Sequence, residues 1–269
     1  MPDELRFEGD DGFELDGTKF VYGYGRDSSA DRFIIRKSRR LVECYVDLAE
    51  RFRHSAIVEL GIAAGGSTAL MALLARPRKL VALEIDAKPV RGLAELIEMR
   101  GLTEVVRAYY GVNQADRERL AEIMDAEFPD APLDLVIDDA SHLLAESRSS
   151  FESLFPRLRP GGLFVVEDWN GKHLWAEAMG PLMADTSRPG HEQNLRQIAE
   201  RISREGLPPK PLYRLNVELM LARATSGDVI EEITIGPFWT VIRRGPAELD
   251  PATFRVEEIY KDHFGIMAG

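Results

Sequence analysis

Between residues 56 and 166 five short apolar runs alternate with four stretches of helical character, and this alternation constrains the fold more than any other feature. Ala56 to Leu60 ends in a glycine-rich turn, and Ser67 to Ala75 then reads as helix and stops before Pro77. Leu80 to Ile85 is followed by the helical pattern Val90 to Met99, closed by Arg100-Gly101. The runs Val105 to Tyr110, Leu133 to Ile137 and Leu163 to Val166 continue the series, with Arg117 to Phe128 and Ala145 to Leu158 as the helices between them. Such alternation builds a mostly parallel sheet with helices on both faces. Two later runs, Leu215 to Ala222 and Phe238 to Arg243, flank the turn-rich Ser226-Gly227-Asp228 and predict an antiparallel pair at one sheet edge, seven strands in all. Upstream, Arg32 to Phe52 reads as helix, and Lys19 to Gly25, with Tyr22 and Tyr24, as a loop able to cover a site. The expected division is a helical and lid segment over 1–52, the sheet domain over 53–245, and a tail over 246–269 that packs on it.

Charge and composition narrow the function. A net charge of −11 repels phosphate backbones and anionic lipid, so neither a nucleic acid nor a membrane is an expected partner. No apolar run approaches the roughly 20 residues of a spanning helix, and the acidic start MPDELRFEGDDGFEL is unlike a signal peptide. A lone cysteine, Cys44, excludes an intrachain disulfide and a multi-cysteine metal site. A cytoplasmic chain is expected.

The first run feeds its helix through Glu59-Leu60-Gly61-Ile62-Ala63-Ala64-Gly65-Gly66-Ser67-Thr68, at the crevice where open parallel sheets bind ligands. A phosphate loop needs Lys before Ser67, and position 66 is Gly. The dinucleotide fingerprint needs a second glycine where Ile62-Ala63 stands. S-adenosylmethionine suits the loop better: Glu59 can take its ammonium, while Gly61, Gly65 and Ser67 bring its carboxylate to a helix N-terminus. Glu84, at the end of the second run and about 20 residues on, can accept both ribose hydroxyls, whereas Asp86 reads as a helix N-cap. Asn113 and Gln114, after the third run, offer amides to an adenine ring, and Asp138 completes the cofactor side.

The fourth run ends Asp138-Asp139-Ala140-Ser141-His142 and the fifth ends Glu167-Asp168-Trp169. If these runs are neighbours, Asp139, Glu167 and Asp168 converge with no Lys or Arg in either motif. Carboxylates that close need a cation, and all-oxygen ligation favours Mg²⁺ over zinc. His142, three residues past Asp139, is placed to take a proton from a substrate hydroxyl.

Taken in order, the Glu-x-Gly-x-x-x-Gly-x-Ser loop, the acid after the second run, Asp-Asp-Ala-Ser-His and Gly-Gly-Leu-Phe-Val-Val-Glu-Asp-Trp resemble the class I S-adenosylmethionine-dependent methyltransferases over residues 55 to 245. The resemblance implies a Rossmann-like α/β fold. The loop is similar to that of catechol O-methyltransferase. The Asp-x-Ser-His and Glu-Asp elements resemble the Mg²⁺-dependent macrocin and mycinamicin sugar O-methyltransferases, which implies Asp139, Glu167 and Asp168 as metal ligands and His142 as the base. Chain length and the Asp-Asp-Ala-Ser-His run also resemble an actinobacterial branch that methylates mannosides for methylmannose polysaccharide. The expected reaction is methyl transfer from S-adenosylmethionine to a sugar hydroxyl of a small-molecule or oligosaccharide acceptor, with Trp169, Trp175, Tyr22 and Tyr24 as candidates to stack on the sugar. A homo-oligomer is compatible with the sequence. The alternatives are a nicotinamide-dependent oxidoreductase and a non-catalytic protein that binds S-adenosylmethionine.

Overall fold

The computed structural model describes residues 5–8, 11–25, 27–129, 131–170, 211–262 and 265. Its centre is a strand with no exposed residue. In β5 (Ala56–Leu60) every position is buried, as a strand covered on both faces requires. β6 (Lys79–Glu84) and β7 (Val106–Tyr110) lie on one side of it, and β8 (Leu133–Asp138) and β9 (Leu158–Glu167) on the other, all parallel. β10 (Ile230–Ile235) and β11 (Trp239–Arg244) complete a seven-stranded sheet of order β10-β11-β9-β8-β5-β6-β7, with β11 antiparallel to β9 and β10 antiparallel to β11. Chain direction across the sheet reverses at β5, so the carboxyl ends of β5 and β8 open the crevice where such sheets hold ligands.

Alternate residues of β5 divide between two cores. Ile57 joins the core that holds α1 (Arg39–Arg51), α2 (Gly66–Ala75) and α3 (Arg91–Met99). Ala56, Val58 and Leu60 join the core that holds α4 (Arg117–Glu127), α5 (Leu144–Leu154) and α6 (Tyr213–Thr225), together with Phe254 and Val256 from the C-terminal stretch.

Two expectations are corrected at the ends of the chain. Leu215 to Ala222 is not a strand but the middle of α6, because Leu215, Leu219 and Ala222 fall four and three residues apart on one buried helical face. The antiparallel pair exists, but its first strand is β10, and the turn is Gly236-Pro237-Phe238. The upstream segment is not chiefly helix and lid. It is a four-stranded sheet of β1 (Leu5–Glu8), β2 (Gly12–Leu15), β3 (Thr18–Tyr22) and β4 (Arg32–Ile35), followed by α1. Leu15 and Thr18 pair across Asp16 and Gly17, both with positive φ, the two-residue turn whose twist suits a hairpin. Phe13 and Phe20 stack at 4.7 Å beneath it. Lys19 to Tyr22 is therefore mostly strand, and α1 starts only at Arg39, where the Ser38 hydroxyl accepts from Leu41 N–H at 3.3 Å. A Cβ on Gly66 would stand 2.4 Å from the Ile34 carbonyl oxygen, so this glycine lets β4 lie against the start of α2. No helix among the described residues is long and apolar enough to cross a membrane.

Candidate active site

The glycine loop leaves β5 with Gly61 at φ +96° and enters α2 through Gly65 at φ +82°. A Cβ on Gly61 would lie 2.3 Å from the Asp139 carbonyl oxygen, and Asp139 N–H donates to Leu60 O at 2.9 Å. The glycine loop and the loop after β8 thus touch, which brings the cofactor side and the acidic side of the crevice together.

Glu59 is fully buried, and among the described residues neither carboxylate oxygen has a hydrogen-bond partner of full geometry. Burial pushes its pKa up to about 7, while the Ser67 and Thr68 hydroxyls and the Lys37 charge pull the other way. A buried carboxylate beside a glycine loop, approached by two hydroxyls but with no well-formed hydrogen bond among the described residues, fits a cationic ligand group, the role read for it from sequence. Glu84 stands across the loop, but its carboxylate already accepts from Ile62 N–H at 3.1 Å, Ala63 N–H at 2.7 Å and Asp86 N–H at 3.0 Å. It braces the loop from the position expected of the ribose acid. Beside it Ile85 is 69% exposed, an apolar surface at the same edge that the sequence reading passed over. Asp86 caps a local turn through Lys88 N–H at 3.0 Å, and the N-cap of α3 is Val90.

The third-strand amides do not stand as expected. Gln114 is buried. Its Nε2 donates to Asp138 at 3.0 and 3.1 Å and to Ser150 Oγ at 3.2 Å, and its Oε1 accepts from Ser141 N–H at 2.8 Å. Both ends of this amide are committed to the protein, which corrects its assignment to adenine. Asp138 is likewise buried, and the Ser150 hydroxyl donates to it at 2.9 Å. Burial raises its pKa, with Ser150, His142 and Gln114 opposing. Asn113 is exposed and accepts from Ala115 N–H at 2.9 Å.

At the ends of β8 and β9 the acids separate into two groups. Asp139, His142 and Asp168 face the crevice, and one ligand-capable atom of each lies within 4.8 Å of the others. His142 Nε2 is 3.9 Å from Asp139 Oδ1 and 3.9 Å from Asp168 Oδ2. His142 and Asp168 both have positive φ, at 55° and 49°, and Ala63 across the crevice has φ 49°. Such non-glycine conformations cost about 1–3 kcal/mol each and gather where a site holds them.

Glu167 turns inward. It is buried; Lys37 Nζ donates to its Oε1 at 3.1 Å and Oε2 at 2.9 Å, and the Tyr45 hydroxyl also donates to Oε1. The same ammonium donates to Asp139 Oδ2 at 2.7 Å and sits 4.7 Å from the centre of the Tyr45 ring. Asp139, Glu167 and Asp168 are therefore not three acids without a basic partner, because Lys37 reaches Asp139 and Glu167 from the link between β4 and α1. Burial alone would lower the Lys37 pKa, but the charges of Asp139 and Glu167 outweigh it and hold the ammonium. Burial and the Asp139 charge push Glu167 up, opposed by Lys37 and Tyr45; with three donated hydrogen bonds the carboxylate form fits this geometry. Asp168 is raised by partial burial, with His142 opposing.

A divalent cation fits Asp139 and Asp168, whose side chains are 23% and 57% exposed and oxygen-bearing, with His142 beside them. Glu167, enclosed by Lys37 and Tyr45, does not fit the same ion in this arrangement. The aromatic candidates divide as well. Trp169 Nε1 donates to Gly236 O at 2.9 Å and ties β9 to the β10–β11 turn. Tyr22 is packed in the small sheet, Tyr24 is 88% exposed, and Trp175 lies outside the described residues.

Residues 58–169 match a family model described as a methyltransferase domain. The fold is the Rossmann-like fold of the class I methyltransferases. Over segments of its length the chain is also similar to O-methyltransferases whose names specify the hydroxyl they methylate. It is 37% identical over 127 residues to the 8-demethyl-8-alpha-L-rhamnosyl tetracenomycin-C 2'-O-methyltransferase of Streptomyces olivaceus, covering 43% of this chain and 32% of that protein. It is 43% identical over 74 residues to the mycinamicin VI 2''-O-methyltransferase of Micromonospora griseorubida, covering 22% of this chain and 18% of that protein. The matched segments thus span a third or less of these relatives. Among solved structures, a Staphylococcus aureus protein named for caffeoyl-CoA O-methyltransferase superposes with a TM-score of 0.51 at 17% identity, over 79% of this chain and 86% of its own. The MycE methyltransferase of mycinamycin biosynthesis, in complex with Mg and SAH, gives a TM-score of 0.48 at 22% identity, over 77% of this chain and 49% of its own.

Proposed function

We propose that this chain transfers the methyl group of S-adenosylmethionine to a sugar hydroxyl, at the crevice between the glycine loop and the Asp139–His142–Asp168 cluster. The observation that carries the reading is the contact between Gly61 and Asp139, which sets a buried carboxylate, Glu59, with no well-formed hydrogen bond among the described residues, near a histidine flanked by two open carboxylates. Glu59 receives the positive end of the methyl donor, and the N-terminus of α2 with Ser67 receives its carboxylate. Glu84 and the exposed Ile85 bound the nucleoside end. Asp139 and Asp168 hold the divalent cation, Mg²⁺ in this reading, which when bound acidifies the acceptor hydroxyl and offsets its developing charge. His142 Nε2, equidistant from both acids, takes the hydroxyl proton as the oxygen attacks the methyl carbon, the sulfur–methyl bond breaks with its electron pair left on sulfur, and S-adenosylhomocysteine departs. Orientation of the two substrates and charge stabilisation supply most of the acceleration.

The acceptor class proposed is a glycoside, and the particular acceptor a mannoside of the methylmannose polysaccharide type, supported by the resemblance of Asp-Asp-Ala-Ser-His to that branch. The test is an acceptor panel of mannosides, rhamnosides and macrolide glycosides incubated with S-adenosylmethionine and Mg²⁺, read by mass spectrometry for methylated products. Methylation within the panel supports the reading, and methylation of mannosides alone selects the mannoside branch. S-adenosylhomocysteine binding without any methylated product would favour a non-catalytic binding protein.

A further inference from the structure

The carboxylate cluster already contains one cation, and it belongs to the chain. Lys37 donates to three oxygens on two acids, its side chain is 3% exposed, and the Tyr45 ring lies beside it. Glu167 has one oxygen taken by Lys37 and Tyr45 and the other by Lys37, and its side chain is 1% exposed. Asp139 is divided: Oδ2 faces Lys37 and Oδ1 faces His142. Without the ammonium the cluster would hold an excess negative charge partly out of water, a costly arrangement.

We propose that Lys37 is a positioning residue and the permanent counter-cation of Asp139 and Glu167, so that Glu167 is its partner rather than a metal ligand and the divalent ion is held on the outer side by Asp139 and Asp168. This rests on the function proposed above and deepens the same site. The ammonium clamps Asp139 Oδ2, which leaves Oδ1 directed at the crevice, and the Glu167 and Tyr45 groups hold the ammonium in place. Lys37 precedes α1 and follows β4, so its side chain couples the small upstream sheet to the acidic side of the reaction site, while β4 itself packs against the start of α2.

The test is Mn²⁺ binding in the absence of acceptor, followed by electron paramagnetic resonance of the free ion, on wild type, Glu167→Gln, Asp168→Asn and Lys37→Met, with S-adenosylhomocysteine calorimetry on each. Asp168→Asn is expected to weaken Mn²⁺ by about tenfold or more, while Glu167→Gln stays within about threefold of wild type. Lys37→Met is expected to tighten Mn²⁺ by about tenfold or more, because it frees two carboxylates for the ion. Loss of Mn²⁺ affinity in Glu167→Gln equal to that in Asp168→Asn overturns the proposal, as does unchanged or weaker binding in a folded Lys37→Met. Should Lys37→Met not fold, the comparison of Glu167→Gln with Asp168→Asn decides alone. Wild type that binds S-adenosylhomocysteine but no Mn²⁺ overturns the inference and leaves the donor site standing. Wild type that binds Mn²⁺ but no S-adenosylhomocysteine counts against the methyltransferase reading instead.

Discussion

Lys37 and Glu167 stand 130 residues apart in sequence, yet an ammonium hydrogen of the first is donated across 2.9 Å to a carboxylate oxygen of the second. With Asp139 held at 2.7 Å by the same group, this pairing joins the upstream sheet to the carboxyl ends of β8 and β9. Buried ion pairs of this kind contribute little net stability but are destabilising when one partner is removed, by about 3–5 kcal/mol. The pair therefore specifies where Asp139 points more than it holds the fold together.

Glu59 makes stability depend on pH. Its folded pKa of about 7 lies above the ordinary 4.5, so the folded protein retains a proton there that the unfolded chain has released. The sign follows: wild type is favoured below the ordinary value, and this contribution fades as pH rises through about 7. Relative to Glu59→Gln, wild type should lose on the order of 3 kcal/mol of stability between pH 4 and pH 8. Urea unfolding of both proteins across that range measures it, and parallel curves would mean that Glu59 does not change its proton on unfolding.

Glu84→Ala should damage the donor site in two ways. It removes the acceptor of three backbone N–H groups, two of them in the glycine loop, and it removes the acid read as holding the ribose. Hydrogen bonds to a charged acceptor are worth about 1.5–3 kcal/mol, so S-adenosylhomocysteine should bind roughly ten- to a hundredfold more weakly. Calorimetry is the check, and Glu84→Gln separates the roles: an amide oxygen can still brace the loop but accepts ribose hydroxyls less strongly. Equal affinity in all three proteins would remove Glu84 from the donor site.

For His142 the expected loss is catalytic. His142→Ala should lower kcat by about a hundred- to ten-thousandfold with S-adenosylhomocysteine affinity nearly unchanged, as initial rates and calorimetry on both proteins would measure. Recovery of wild-type turnover by excess Mg²⁺ alone would show that the histidine supports the metal position and does not take the proton.

How much of this was legible beforehand depended on how local each signal was. β5, α2, β6 and β8 could be read within a residue or two because each is a single apolar run or face, bounded by glycine, proline or acid. The Asp16-Gly17 hairpin is signalled as clearly in the sequence but lies outside the repeating pattern, and Lys19 to Gly25, which holds most of its second strand, reads as loop. α6 was taken for a strand because Leu215 to Ala222 is rich enough in apolar residues to obscure its three- and four-residue spacing. In the site, the acids and His142 were identified by their place at strand ends, since that edge of a parallel sheet is where groups converge. Lys37 had no such signature. Its partners lie 102 and 130 residues away, and only the folded chain brings them together. Gln114 was misassigned for the same reason, because Asp138 and Ser150, which occupy its amide, lie on other elements.

The most direct measurement of the central claim is the initial rate of S-adenosylhomocysteine formation with a glycoside acceptor present, before EDTA, after EDTA, and after Mg²⁺ is restored. Acceptor-dependent formation that EDTA abolishes and Mg²⁺ restores is the predicted result, and Asp168→Asn should behave as the chelated enzyme does. Full turnover in the chelated protein would contradict a metal-assisted site at Asp139 and Asp168, and formation that ignores the acceptor would contradict transfer to a sugar hydroxyl.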